Sequence, residues 1–207
     1  MSGEGQQPAE AVRSFRMILW LVVALVACLG LVAWFGSGHK PREASDYGNA
    51  VGGPFTLVGA DGSTVTEKDF AGKPYAIFFG FTRCPDVCPT TLSRMARLRQ
   101  QMGAEGDKFR IVFVSVDPER DRPADIGAYV DLFGTPIVGL TGSDEQIARI
   151  VKAWHVFYQK VPQPGGDYTI DHTASVFLMD RAGKLQSIID HHEAEASALA
   201  KLHRLVG

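Results

Sequence analysis

Cysteine is scarce in this chain, three residues in 207. That is too few to staple a small scaffold with disulfides, so the fold must rest on a buried core and the placement of the thiols matters more than their number. Neither sign of charge prevails, with 21 Lys and Arg against 23 Asp and Glu for a formal net charge of −2. Without a basic excess to neutralise phosphates, nucleic-acid binding loses its main electrostatic drive, and no nucleic acid is expected among the partners. No internal repeat is visible. What is present is 45% hydrophobic and 21% charged residues, enough to bury a core and unlike a disordered or fibrous chain. Setting aside one membrane-spanning stretch and the tail before it, roughly 170 residues remain, about one ordinary domain.

That stretch is residues 17–35, MILWLVVALVACLGLVAWF, which carries no charge. It is at the length needed to cross a hydrocarbon core about 30 Å thick and predicts a transmembrane helix. Trp20 and Trp34 near its two ends suit the membrane interfaces. The rival is a cleaved signal peptide, but such an apolar core usually runs about 7 to 15 residues before small residues at the cleavage site. This run is longer and ends in Trp34 and Phe35. Arg13 and Arg16 before it are nearly matched by Lys40 and Arg42 after it, so charge alone does not orient the helix. The tail, 1–16, has no folding content, and every candidate site lies beyond residue 36. The expected layout is therefore a tail (1–16), an anchor (17–35), a Gly-rich polar tether (36–53) and a globular domain (54–207). The domain is expected on the non-cytoplasmic side, in a bacterial periplasm or mitochondrial intermembrane space. Cys28 lies within the apolar run as a small hydrophobe.

Along the domain, FTLV and STVT flank Asp61-Gly62, a hairpin signal. PYAIFFGF (74–81) and FRIVFVSV (109–116) are nearly continuous apolar runs and predict buried strands. Between them TTLSRMARLRQQM presents Leu92, Met95 and Leu98 at helical spacing, which gives a strand–helix–strand unit with a parallel pair. PADIGAYVDLF predicts a helix begun by Pro123, PIVGLT a strand, and SDEQIARIVKAWH a helix capped by Ser143. VFYQKV precedes a segment, PQPGGDYTIDH, that reads as a loop. TASVFLMD and KLQSIID then form an antiparallel hairpin through DRAG, and EAEASALAKLHRLV closes the chain as a helix. The sum is an α/β, thioredoxin-like fold, a mixed central sheet covered by helices.

The chemistry concentrates at Cys84-Pro85-Asp86-Val87-Cys88-Pro89, where a buried strand hands over to a helix. If this segment opens the helix, Cys84 and Cys88 share a face, and the helix N-terminal amides favour thiolate. Such a pair can form a disulfide or hold one soft metal ion. Two inert buried cysteines are the bland alternative, which Pro85 and Pro89 argue against, since a buried helix interior would not tolerate them. Of six histidines, His172 directly precedes a predicted strand after a loop long enough to cross the sheet end, and it is the candidate third ligand. His191 and His192 read as a solvated pair or a secondary metal site; His155 and His203 read as structural, and His39 lies in the tether. Two thiolates and an imidazole suit copper, Cu(I) in preference to Cu(II). Zinc with Asp86 as a fourth ligand stays open.

FFGFTRCPDVCPTTL, VSVDPERD and DYTIDHTASVFLMD, in this order and spacing, resemble segments of the SCO/SenC family of membrane-anchored copper proteins. The resemblance spans about residues 50 to 205. It implies that Cys84, Cys88 and His172 bind copper, with Asp86 and Asp171 as acidic neighbours. It further implies support for assembly of the CuA centre of cytochrome c oxidase subunit II, by copper delivery or by thiol–disulfide reduction through Cys84 and Cys88. A copper donor protein would be a further partner. Residues 117–121, Asp-Pro-Glu-Arg-Asp, read either as a turn with helix-start acids or as a partner-docking element. A peroxiredoxin-like thiol peroxidase is the third alternative.

Overall fold

A computed structural model of the chain describes residues 7–36 and 51–207. Residues 1–6 of the tail and 37–50 of the tether, including His39, Lys40 and Arg42, lie outside the described residues. The chain divides into two compact units, 1–45 and 46–207.

The first unit contains α1 (Gln7–Gly36). Its start corrects the expectation of a tail without structure, because the helix begins well ahead of the apolar run. Pro8 falls in the first turn, where a missing N–H costs nothing. From Phe15 to Leu29 the described apolar side chains are exposed. Among the described residues no helix is long and apolar enough to cross a membrane.

The second unit is built on a seven-stranded mixed sheet. Its strands are β1 (Thr56–Gly59), β2 (Thr64–Thr66), β3 (Tyr75–Gly80), β4 (Arg110–Ser115), β5 (Ile137–Thr141), β8 (Val176–Met179) and β9 (Leu185–Ile189), ordered β2-β1-β5-β4-β3-β8-β9. β3, β4 and β5 pair in parallel at the centre, and the flanking pairs are antiparallel. Every residue of β3 is buried, as its unbroken apolar run requires of a strand covered on both faces. Asp61-Gly62 turns β1 into β2, with Gly62 at φ 82°, a backbone region glycine enters without penalty.

Four helices pack on this sheet. α2 (Val87–Gln101) buries Cys88, Leu92, Met95 and Leu98, the apolar stripe its spacing predicts. α3 (Pro123–Asp131) opens on Pro123. α4 (Asp144–Ala153) is capped by Ser143, whose hydroxyl accepts from the Gln146 N–H while Gln146 Oε1 accepts from the Ser143 N–H at 2.7 Å. α5 (Glu195–Val206) buries Ala198, Leu202, Leu205 and Val206.

One segment departs from expectation. PQPGGDYTIDH is not all loop: its second half forms β7 (Tyr168–His172), antiparallel to β6 (Tyr158–Pro162) in a separate two-stranded ribbon. The turn at Gly165 and Gly166, both at positive φ, allows the reversal. His172 therefore ends a ribbon strand instead of directly preceding β8, which starts at Val176.

Candidate metal centre

The Cys84–Cys88 segment sits at the carboxyl end of β3. Only Cys88 lies in α2; Cys84 stands in the turn before it, which corrects the picture of two cysteines on one helical face. The turn is closed by the Cys84 N–H donating to the Phe81 carbonyl at 3.3 Å. It brings the Cys84 sulfur back over the helix start, where it accepts from the Cys88 N–H at 3.3 Å. Cys84 thus caps the helix, at the place where a negative sulfur gains most from unpaired amides.

Cys88 is fully buried, and the reason it fits lies in β3. A Cβ on Gly80 would stand 2.6 Å from the Cys88 sulfur and 3.0 Å from the Phe113 ring. Glycine at that position opens the pocket the sulfur occupies, and nothing in the local sequence flags it.

His172 arrives from the ribbon, with its Nε2 3.3 Å from the Cys88 sulfur. Its Nδ1 is 3.0 Å from the Thr173 carbonyl, and since a carbonyl only accepts, Nδ1 carries a proton and Nε2 is the nitrogen turned to the sulfurs. Thr173 is held in turn: its N–H donates to the Phe157 carbonyl, and its hydroxyl accepts from the Phe157 N–H, both at 3.0 Å. Phe78 and Phe81 pack edge-on to the imidazole at 5.8 and 5.9 Å between centroids and fix the ring's plane.

The ligand atoms of Cys84, Cys88 and His172 lie within 4.8 Å of one another. Three donors about 2.0–2.3 Å from one ion would lie roughly 3.5 to 4 Å from one another, so side-chain shifts of about an ångström suffice to close such a site. Among the described residues this is the one cluster of three or more such side chains. Asp86, the zinc alternative's fourth ligand, is not in it; its carboxylate accepts from the Thr90 hydroxyl at 3.1 Å. Asp171 is exposed, because neighbouring strand residues project to opposite faces and His172 takes the inner one. His191 pairs with the Thr91 hydroxyl at 3.2 Å and His203 with Glu105 at 2.8 Å. His155 is exposed at the end of α4.

The two thiols are driven apart electrostatically. The Cys88 thiol donating to it, the His172 imidazole and the N–H groups of Cys88 and Asp86 outweigh burial and lower Cys84 to about 4, well below an ordinary thiol. Burial first, then the hydrogen bond to Cys84 and that sulfur's charge, push Cys88 up. The metal-free pair is one thiolate and one thiol sharing a proton. Tyr129 responds to the same charges: burial, then the Cys88 and Cys84 sulfurs and Asp121, push its phenol up, and its hydroxyl is buried without a partner.

Residues 117–121 hold a role that sequence reasoning did not reach. Asp117 and Asp121 are 0% and 1% exposed, so neither can meet a partner protein. Asp121 accepts from the Thr82 N–H and hydroxyl at 2.8 and 2.6 Å and from the Ser115 hydroxyl at 2.6 Å. It thereby ties down the chain two residues before Cys84. Asp117 accepts from Arg120 Nε at 2.5 Å and from the Tyr168 hydroxyl at 2.7 Å. The segment is the turn its residues suggest, closed by the Arg120 and Asp121 N–H groups on the Asp117 carbonyl, but its two aspartates are interior ties.

Chemically, two sulfurs and one imidazole at the carboxyl end of a packed sheet can bind a soft metal of low coordination number or exchange disulfides. Relatives of known structure have been described with both features. ScoI of Bradyrhizobium japonicum, solved with copper bound, is 44% identical, covers 75% of this chain and 99% of its own, and superposes with a TM-score of 0.70. The BsSco structure, described for a disulfide switch in a member of the Sco family of cytochrome c oxidase assembly proteins, is 25% identical over 76% of this chain and 94% of its own, with a TM-score of 0.60. The mitochondrial SCO1 homolog 1 of Arabidopsis thaliana is 40% identical over 134 residues, 63% of this chain, and the match spans only 39% of that plant protein. The sequence model of SCO1/SenC matches residues 43–207, most of the length, and the chain therefore belongs to the SCO1/SenC family.

Proposed function

We propose that this protein is a membrane-anchored copper chaperone that holds one Cu(I) on Cys84, Cys88 and His172 and supports assembly of the CuA centre in cytochrome c oxidase subunit II. The observation that carries this reading is the convergence of two sulfurs and a correctly protonated imidazole from distant parts of the chain. Dithiol chemistry alone has no use for an imidazole lone pair at that place. The copper-bound ScoI and the oxidase-assembly relative BsSco support it by similarity.

Copper is cargo here. The Cys84 thiolate is ready to receive the ion, and entry of Cu(I) displaces the proton still carried by Cys88. The His172 nitrogen is the neutral ligand, the one whose departure costs the site no charge. Its withdrawal opens a coordination position for an incoming thiolate of the apo-target, and ligand exchange moves the ion onward. The layout of tail (1–16), transmembrane anchor (17–35), tether (36–53) and copper domain (54–207) would keep the domain near a membrane-bound oxidase on the non-cytoplasmic side. A flexible tether of this length reaches some tens of Å, about 5–6 Å times the square root of its residue number. A copper donor protein would be a further partner, loading the site.

Anaerobic Cu(I) titration of the reduced full-length chain in detergent against a competing chelator tests this. One tight copper per chain is expected, lost in Cys84→Ser and sharply weakened in His172→Ala. Affinity indifferent to His172 would sink the three-ligand reading.

A second reading is favoured by the depressed Cys84 pKa. A dithiol reductase would attack a target disulfide with the Cys84 thiolate; Cys88 would then displace the target thiolate, leaving a Cys84–Cys88 disulfide and a reduced target. Catalytic reduction of an oxidised CuA-domain disulfide by the metal-free protein, abolished in Cys84→Ser, distinguishes it from copper delivery.

A further inference from the structure

The loop after β4 touches both halves of the centre. At one end Asp121 grips Thr82 ahead of the cysteines. At the other, Arg120 grips the ribbon: Nη1 donates to the Asp167 carboxylate at 2.9 Å and to the Tyr168 carbonyl at 2.8 Å. Its Nε holds Asp117, its guanidinium carbon lies 3.6 Å over the Tyr168 ring and 6.0 Å from the Phe81 ring, and its side chain is 11% exposed. Tyr168 and His172 are the two ends of β7, and Phe81 is one of the rings packed against His172. The ribbon belongs to a sheet of its own, so no strand ladder of the main sheet fixes its position. Ile170, buried in the core, and the Arg120 contacts do so instead.

We propose that Arg120 is a positioning residue for the third ligand. By locking Tyr168 to the loop that also fixes the cysteine turn, it sets where the His172 imidazole stands relative to the two sulfurs, and so how long copper is retained. The fork geometry matters, because one guanidinium meets two carboxylates, a carbonyl and an aromatic face at once, which an ammonium cannot. This proposal rests on the copper-binding reading, and its test separates the two.

The experiment compares wild type, Arg120→Met, Arg120→Lys and Tyr168→Phe, each as the full chain and each also in the His172→Ala background. Cu(I) affinity and release rate are read by chelator competition, and imidazole coordination by X-ray absorption. Arg120→Met is expected to weaken affinity on the order of 10-fold, as loss of a ligand-orienting contact commonly does, with reduced imidazole scattering. Arg120→Lys should recover part of this. Tyr168→Phe, which keeps the stacked ring and loses only the hydroxyl, should move the same way by less, and it carries the test if Arg120→Met does not fold. In the His172→Ala background none of these changes should weaken binding further. Equal losses with and without His172, or unchanged affinity in a folded Arg120→Met protein, overturns the proposal. A wild-type chain that takes up no Cu(I) overturns the copper reading instead. The positioning role is then decided in the metal-free protein, where the His172 ring NMR signals shift in Arg120→Met if Arg120 sets the imidazole's place and stay unchanged if it does not.

Discussion

The cysteines and the histidine of this centre are held by different physics. Cys84 and Cys88 stand at the end of β3, the most deeply buried strand of the sheet, between Gly80 and the first turn of α2. His172 stands on a two-stranded ribbon tied to the body by one buried isoleucine and a cluster of charges. Packing of the first kind is close to that of an organic crystal and resists displacement. Ties of the second kind depend on a few directional contacts and yield locally before the domain yields globally. On the proposed copper-binding reading this division would suit a carrier, with two anionic ligands that stay and one neutral ligand that leaves.

Four outcomes would sharpen or break that contrast. The largest effect is expected from Asp121→Ala on the cysteine side, which strands the Thr82 and Ser115 donors in the interior. It should cost about 3 kcal/mol or more in urea unfolding and lower copper affinity together with stability. Gly80→Ala should follow, since a methyl 2.6 Å from the Cys88 sulfur forces β3 and α2 apart at a cost of roughly 1–3 kcal/mol. A crystal structure of that variant would show whether the sulfur or the strand gives way. If either variant kept full stability, the cysteine half would not be the stiff one.

The third outcome concerns protons. Cys84 is depressed in the folded chain, so between about pH 4 and about pH 9 the unfolded thiol binds a proton that the folded protein does not. Stability of the reduced, metal-free protein should therefore rise with pH across that window and be lost as pH falls through the folded value. Cys84→Ser should flatten the slope in thermal melts. An unchanged slope in that variant would assign the effect elsewhere. The smallest effect is expected at the ribbon's outer edge: Lys160→Ala removes a 2.7 Å ion pair with Glu119 between two exposed side chains, and global stability should not change measurably. Hydrogen exchange of the β6 and β7 amides is the sensitive readout there.

Much of this molecule was legible in its residues, and unevenly so. The apolar runs of β3 and β4, the Asp61-Gly62 turn, the Ser143 cap and the C-terminal hairpin and helix each carry a local signal strong enough to name the element. β7 carries none: of Tyr168–His172 only Ile170 is buried, and preceding glycines make the segment look like loop. The pairing that makes it a strand comes from β6. Of the centre, the cysteines announced themselves by sequence and His172 chiefly by resemblance. Gly80 was invisible because its importance is the absence of an atom beside a sulfur on another element. The turn at 117–121 was legible, but the burial of Asp117 and Asp121 was not, because charged residues are seldom fully buried unless paired, and their partners lie on other elements.

The hydrogen bond between Cys88 and His172 joins residues 84 positions apart. A chain emerging from its N-terminus presents the two thiols well before the imidazole exists to join them, and β3 has to wait for β8 to complete its pairing. Assembly of the centre is thus a late event in biogenesis, set by the closing of a long loop. During that interval the nascent cysteines are a bare dithiol, open to oxidation. The cell that makes this protein must keep that interval short, or keep those thiols reduced until the second half of the fold arrives.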